Sequence, residues 1–189
     1  DTFLQQKPRQ YTPQPVHIID IDEESLRRIG QWPWPRSILS KIVDKLHASG
    51  AAVIAFDILF SEEDRTSPRH MIELWQQEDK LSYLLDDVPD HDELFAKSIE
   101  RANVVAGIVL THDKTTNRMP ISKAGFSYAG ADPAPHLDVF NRAILPLPMF
   151  ENAAAGNGAL NSVPESDGII RRLPLIYRVG DRFFPSLVT

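Results

Sequence analysis

The residues with the clearest chemical potential are carboxylates that follow two apolar segments. Asp20 and Asp22 end the first segment, Asp57 lies within the second, and Asp64 comes shortly after it in an acidic stretch. Carboxylate oxygens suit hard cations such as Mg²⁺ or Ca²⁺, and they also recognise cationic ligands. The pattern therefore predicts ligand-binding roles for Asp20, Asp57 and Asp64, and it makes Asp20, Asp22 and Asp57 the candidate metal ligands.

Each of these acids also has a structural explanation. Asp22 stands where the N-cap of a helix belongs, and capping explains it better than ligand binding does. For Asp64, a place in a solvated loop is likewise the favoured explanation. For Asp20 and Asp57 the two interpretations are evenly matched. A carboxylate at the end of an apolar strand is costly to bury unless it is paired, so an internal partner would account for both.

Two arginines extend the candidate site. Arg36 falls in the first turn of a predicted helix, where the helix dipole disfavours a cation and a nearby carboxylate would offset that effect. It could bind an anionic ligand, although an internal Asp–Arg pair is the simpler explanation. Arg171 follows the turn at Asp167 and Gly168. It could contact a ligand or a neighbouring protomer, and a tight turn beside a strand explains it equally well.

Trp32 and Trp34 alternate with prolines in the run Trp-Pro-Trp-Pro. If exposed, the two indoles would form an interface or a stacking surface. The favoured alternative is that they plug the edge of a sheet and hold the connector between two helices in place.

The elements that must position these residues follow from the hydrophobic pattern. Val16–Ile21 and Ala51–Phe60 are predicted to be strands, because each is a nearly continuous apolar run. Between them, apolar residues at helical spacing predict a helix that starts at Pro35 and ends at Gly50. A strand–helix–strand unit of this length is expected to be parallel and right-handed.

The later part of the chain continues the same pattern. Asp92 is expected to cap a helix that leads into a strand at Asn103–Leu110, and the last two strands, Ile169–Val179 and Arg182–Val188, form a hairpin around Gly180. The predicted fold is α/β, with a mostly parallel central sheet flanked by helices and extended by the C-terminal antiparallel hairpin. Residues 16–189 are predicted to form one domain, with 61–91 as an insert or lid.

Composition narrows the function. The chain has 189 residues, 42% of them hydrophobic, a net charge of −6 and no cysteine. Without a cluster of basic residues, a nucleic-acid partner is not expected. There is no phosphate-binding loop, no dinucleotide fingerprint and no nucleophile elbow, and the six histidines lack metal-ligand spacing. No catalytic residue is therefore predicted, and no cofactor apart from a Ca²⁺ or Mg²⁺ ion.

No apolar run approaches the ~20 residues that span a bilayer. The chain starts at Asp1 without methionine and ends just after an apolar stretch. These features predict a fragment of a longer protein, with residues 1–15 as an extended lead-in from a membrane helix.

These residues together resemble a CHASE domain of type 2, the sensory extracellular module associated with cyclases and histidine kinases. The resemblance runs from about Val16 to Val188. It is carried by the motifs Asp20-Ile-Asp22, Trp-Pro-Trp-Pro-Arg36, Gly50-Ala51, Phe56-Asp57-Ile58-Leu59-Phe60, Asn103-Val-Val, Asp167-Gly168 and Arg171-Arg172-Leu173-Pro174.

The resemblance implies a periplasmic or extracellular domain of a bacterial receptor. A membrane helix would precede it. Further membrane helices and a cytoplasmic output module would follow, such as a two-component histidine kinase, a nucleotide or diguanylate cyclase, or a serine/threonine kinase. The family implies no ligand and no catalytic residues.

The leading prediction is thus an extracytoplasmic sensor, not an enzyme, that binds a small ligand or ion and passes a conformational change through its own membrane helices to the output enzyme. A homodimer would fit this role. The alternatives are a metal-dependent phosphohydrolase built on the strand-end aspartates, and a dimerisation or interaction module without a ligand.

Overall fold

The computed structural model describes residues 6–7, 15–75, 88–113, 118–162 and 167–189. The chain divides into two compact units, residues 1–34 and 35–189. Most of the predicted lead-in at 1–15, and the stretch 76–87 of the predicted insert, lie outside the described residues. None of the helices among the described residues is long and apolar enough to span a membrane.

The first unit contains helix α1 (Glu23–Ile29). Asp22 is its N-cap, as predicted, because its carboxylate accepts the backbone N–H of Ser25 at 2.8 Å. The strand predicted at Val16–Ile21 is wrong. These residues belong to no strand in the described part of the chain, and Ile18 is 91% exposed. A continuous apolar run forms a strand only where a neighbouring strand takes up its backbone hydrogen bonds.

The helices of the second unit follow the hydrophobic pattern. They are α2 (Arg36–Ala48), α3 (Pro68–Trp75), α4 (His91–Arg101) and α5 (Pro148–Ala153), with a 3₁₀ turn at Ala134–His136. Helix α2 buries Leu39, Ser40 and Val43, at the i, i+1 and i+4 positions of one face. The predicted cap at Asp92 is wrong by two residues. Asp90 caps α4, and its carboxylate accepts the N–H groups of Asp92 and Glu93.

The first sheet is built around one central strand. Strands β1 (Ile54–Ala55), β2 (Val104–Thr111), β4 (Arg142–Ile144) and β5 (Gly156–Ala159) form it. The first half of β2 pairs in parallel with β1 and with β5, and its last three residues pair antiparallel with β4. Strand β2 is the predicted third strand, and its nearly unbroken apolar sequence reflects burial on both faces.

The second sheet has three strands, β3 (Val139–Phe140), β6 (Ile176–Val179) and β7 (Arg182–Pro185). Strands β6 and β7 form the predicted C-terminal hairpin, turning at Gly180 with φ of +58°. Both strands are shorter than the predicted Ile169–Val179 and Arg182–Val188. The hairpin was expected to extend the central sheet. Its strand β6 pairs with β3 to form a separate sheet, and only an isolated bridge from Ser186, just after β7, reaches Ala159 of β5. The fold is mixed α/β, and the prediction of a mostly parallel central sheet is not confirmed, because both sheets contain parallel and antiparallel pairs.

An aromatic cluster joins the helices of the second unit to the end of the segment that follows β1. Phe60, Phe95 and Phe150 are at most 2% exposed. Their rings meet edge to face at centroid distances of 5.1–6.2 Å, an arrangement that adds to the stabilisation from burial. Phe60 therefore fixes the chain at the point where it enters the acidic stretch 61–64.

The two sheets meet so closely at Gly158 that a side chain would not fit. A Cβ atom there would lie 2.6 Å from the Cα of Leu187. We expect Gly158→Ala to lower the free energy of unfolding by about 1–3 kcal/mol, because backbone must shift. Urea unfolding of Gly158→Ala and of the matched control Gly156→Ala, whose Cβ would meet only Val105 at 3.6 Å, tests this. Equal losses in both variants would contradict the close approach.

Candidate functional site

At the start of α2, a carboxylate that is distant in sequence takes the place of the usual N-cap side chain. Pro35 occupies the N-cap position and supplies no side-chain hydrogen bond. Asp64, 28 residues further along the chain, accepts the backbone N–H of Arg36 at 2.7 Å through Oδ2. This carboxylate satisfies one of the helix's free N–H groups and complements its dipole.

Asp64 is held by several donors besides Arg36. Its Oδ1 accepts the backbone N–H of Thr66 at 2.8 Å and the Thr66 hydroxyl at 2.7 Å, and its Oδ2 lies 3.2 Å from Nδ1 of His91. Burial works against ionisation of Asp64. The hydrogen bonds from Arg36 and Thr66, together with His91, outweigh burial and lower the pKa of Asp64 below the ordinary value of 3.8.

Asp92 is the second buried acid. Its Oδ2 accepts the backbone N–H of Asp64 at 2.9 Å, and its Oδ1 lies 3.6 Å from Nε of Arg36. In Asp92 the effect of burial prevails and raises the pKa above 3.8. The negative charges of Asp90 and Asp64 act in the same direction, whereas the hydrogen bond from the Asp64 N–H and the charge of Arg36 lower the pKa. The two neighbouring carboxylates are therefore shifted in opposite directions.

The guanidinium of Arg36 lies among these groups. The residue is 8% exposed, and its Cζ stands 4.6 Å from the centroid of the Phe60 ring, a cation–π contact. A long hydrogen bond of 3.4 Å reaches the carbonyl of Glu62. The internal Asp–Arg pair that the sequence favoured is thus present, and its acid is Asp92.

A second set of bonds ties the start of α4 to the segment before α3. The Ser67 hydroxyl donates to Asp90 at 2.7 Å and accepts the backbone N–H of His91 at 3.2 Å. We call Arg36, Asp64, Asp90, His91 and Asp92, with Thr66 and Ser67, the Asp64–Asp92 network. It links α2, the segment 62–67 and α4 through polar contacts between residues far apart in sequence.

A cavity of about 120 Å³ borders the network. Its walls include two basic residues, Arg69 and His70, and five acidic residues, Glu63, Asp64, Asp90, Asp92 and Glu93. In the described part of the chain, no group of three or more histidine or acidic side chains is arranged to hold a metal ion. The cavity thus offers a small acidic surface.

The structure unites two of the predicted ligand-binding residues, Arg36 and Asp64. The solvated loop favoured for Asp64 is wrong, because the residue is 7% exposed. Asp57 is exposed and lies outside the network, in the segment between β1 and Phe60. Asp20 is exposed in the first unit, just before the α1 cap. Arg171 makes a two-pronged pair with Asp167 at 2.9 and 2.7 Å. Their ligand-binding roles, and the metal roles of Asp20, Asp22 and Asp57, stay predictions.

The predicted interface tryptophans lie in the first unit. Trp32 and Trp34 meet edge to face at 5.7 Å, and Nε1 of Trp34 donates to the carbonyl of Gly30 at 2.8 Å. These contacts brace the connector after α1. The interface role of the two side chains stays a prediction.

Sequence reasoning did not include Asp90, His91 and Asp92 in the site. The signal was available in the run Asp90-His91-Asp92-Glu93, which carries more acids at a helix start than one cap requires. Once Asp90 takes the capping role, Asp92 falls in the first turn with its carboxylate free to serve another segment.

The comparisons give the class of this protein. A family model, the CHASE2 domain, matches residues 1–189, the whole chain. No curated protein and no solved structure matches it.

The chain belongs to the CHASE2 domain family. This match confirms the family resemblance that was predicted from the sequence. CHASE2 domains are extracellular sensory domains and are not themselves catalytic.

Proposed function

We propose that this chain is the extracytoplasmic input domain of a bacterial transmembrane receptor, and that it passes a conformational change through the receptor's membrane helices to a cytoplasmic kinase or nucleotide cyclase. The observation that carries the proposal is the CHASE2 match over the full length. A sensor of this kind requires a stimulus that favours one of two conformations or dimer arrangements over the other.

The Asp64–Asp92 network is the best-supported stimulus site. It contains Arg36 and Asp64, which are 8% and 7% exposed and lie on segments that only tertiary structure brings together. Charged side chains are rarely buried without a specific reason. A ligand or ion that alters this network would change how α2, the segment 62–67 and α4 are held together. Asp57 and Arg171 are proposed as further ligand contacts, and Asp20 is proposed separately as a ligand-binding residue of the first unit.

Ligand binding to the folded chain is testable by thermal unfolding with EDTA, Ca²⁺, Mg²⁺ and a panel of small metabolites. A ligand that binds only the folded state stabilises it by about 2.7 kcal/mol at a hundredfold excess over its dissociation constant. We expect at least one condition to raise the midpoint in the wild-type chain, and the rise to be lost in Asp64→Asn or Asp57→Ala.

The matched control is Asp44→Asn, which removes an exposed carboxylate that pairs with Arg101 on the surface. It should keep the full shift. Shifts of equal size in every variant would argue against the proposed site, and no shift in any condition would argue against a small-ligand sensor. The phosphohydrolase and the ligand-free interaction module stay alternative predictions.

A further inference from the structure

The pair formed by Arg36 and Asp92 differs from the other ion pairs given above for the described residues. The two residues are 8% and 4% exposed, and Nε of Arg36 lies 3.6 Å from Oδ1 of Asp92. Among the described residues, neither of these two atoms has a hydrogen-bond partner. The exposed pair of Arg101 and Asp44, by contrast, is hydrogen-bonded at 2.9 Å. Charge alone therefore links Arg36 to Asp92, and a change of charge would break the link.

Asp92 lies in the wall of the 120 Å³ cavity, which gives protons from the medium a route to it. The charged and titratable groups around the cavity come from every neighbouring element. The segment after β1 supplies Glu63 and Asp64, α3 supplies Arg69 and His70, and the start of α4 supplies Glu93 and the cap residue Asp90. Outside the cavity wall, Arg36 of α2 pairs with Asp92, and His91 of α4 pairs with Asp64. Helix α5 contributes the uncharged Met149. Acidic groups predominate, and they favour proton uptake.

We infer that Asp92 is a proton-responsive residue of the Asp64–Asp92 network. A proton from the cavity binds Oδ1, neutralises the carboxylate and breaks its charge pair with Arg36. Oδ2 continues to accept the N–H of Asp64. Of its described contacts, the guanidinium of Arg36 keeps only the Glu62 carbonyl, the Phe60 ring and the charge of Asp64, so the first turn of α2 responds to the protonation of α4.

This inference rests on the proposed sensory function and names acidification of the medium as a stimulus for the same network. The opposed shifts of the two acids support it. Burial raises the pKa of Asp92, whereas the hydrogen bonds to Asp64 overcome its burial and lower the pKa of that acid. As the pH falls, Asp92 takes up its proton first, at a pH above 3.8, while Asp64 stays ionised and keeps its bonds to Arg36 and Thr66.

NMR titration of the chain, with ¹³C in the aspartate carboxyl groups and ¹⁵N in the backbone, tests the inference. We expect the Asp92 carboxyl to titrate with a midpoint above 3.8. The amide signals of Arg36 and Asp64 should move with the same midpoint. In Asp92→Asn this movement should disappear, and in Asp44→Asn it should match the wild type.

An Asp92 midpoint at or below 3.8 would overturn the inference, and so would amide signals of Arg36 and Asp64 that do not follow the Asp92 carboxyl. Both observations come from the wild-type chain, so a folding defect in Asp92→Asn cannot obscure them. Neither failure touches the sensory function itself, which the unfolding measurements with metal ions and metabolites test at constant pH.

Discussion

Asp64→Ala is expected to lower the free energy of unfolding by about 2–4 kcal/mol, because it leaves buried donors without an acceptor. The substitution removes the acceptor for the first N–H of α2, a loss comparable to that of an N-cap at about 0.5–2 kcal/mol. That N–H is the buried backbone N–H of Arg36, so the loss of this one bond costs about 1–3 kcal/mol. The Thr66 and His91 contacts are lost as well. Urea unfolding at neutral pH measures the sum.

The matched control is Asp44→Ala. Asp44 pairs with Arg101 on the surface, with 46% of its side chain exposed, so its removal should cost less than about 1 kcal/mol. If Asp64→Ala and Asp44→Ala were equally stable, Asp64 would not organise the start of α2.

The contribution of Asp64 also has a defined dependence on pH. Because its pKa in the folded chain is below 3.8, the stabilisation is fully present above pH 3.8 and is lost as the pH falls through the lower folded value. The difference in stability between the wild type and Asp64→Asn should therefore be constant near neutral pH and shrink only below pH 3.8.

Glu151→Ala is expected to destabilise the chain by about 2–4 kcal/mol. Glu151 is fully buried in α5. Its carboxylate accepts the backbone N–H of Ile121 at 2.8 Å, the side-chain amide of Asn157 at 3.2 Å and the guanidinium of Arg118 at 2.8 Å. Alanine would leave the Ile121 N–H without a partner, at about 1–3 kcal/mol. The Asn157 amide would lose one of its two bonds and keep the other, to the carbonyl of Ile121 at 3.1 Å. Arg118 is half exposed and can turn to water, so its loss counts less.

Glu151→Gln separates the hydrogen bonds from the charge. Glutamine keeps an oxygen for the Ile121 N–H but loses the ion pair with Arg118, so it should be more stable than alanine at this position. Thermal unfolding of both variants measures whether Glu151→Gln is more stable than Glu151→Ala. Equal stability of alanine, glutamine and the wild type would mean that the segment 118–123 is held to α5 by other contacts.

Local features of the fold could be predicted from the sequence because their causes are local. Asp22 caps α1 through the residue three positions on, α2 follows from the spacing of its apolar face, and Gly180 allows the turn of the hairpin. The strand at Val16–Ile21 could not be judged in the same way. Its apolar composition favours a strand, but strand formation depends on a partner elsewhere in the chain.

In the candidate site, too, features with local causes could be predicted and contacts between distant residues could not. Arg36 attracted attention because a cation in the first turn of a helix needs a carboxylate nearby, and an internal partner was the favoured explanation. The sequence did not show which carboxylate is the partner of Arg36. The acids that serve Arg36 lie 28 and 56 residues away, on a loop and on another helix. Asp57 is also an aspartate associated with an apolar segment, yet it is exposed and lies outside the network.

The central claim, that this CHASE2 domain is the input module of a receptor, is tested most directly on the intact receptor in membranes. The measurement is the activity of the output enzyme while the pH, the cations and the metabolites at the outer face are varied. Receptors with and without residues 16–189 are compared. We predict that the wild-type receptor responds and that the receptor lacking residues 16–189 does not. The same response in both would contradict the account.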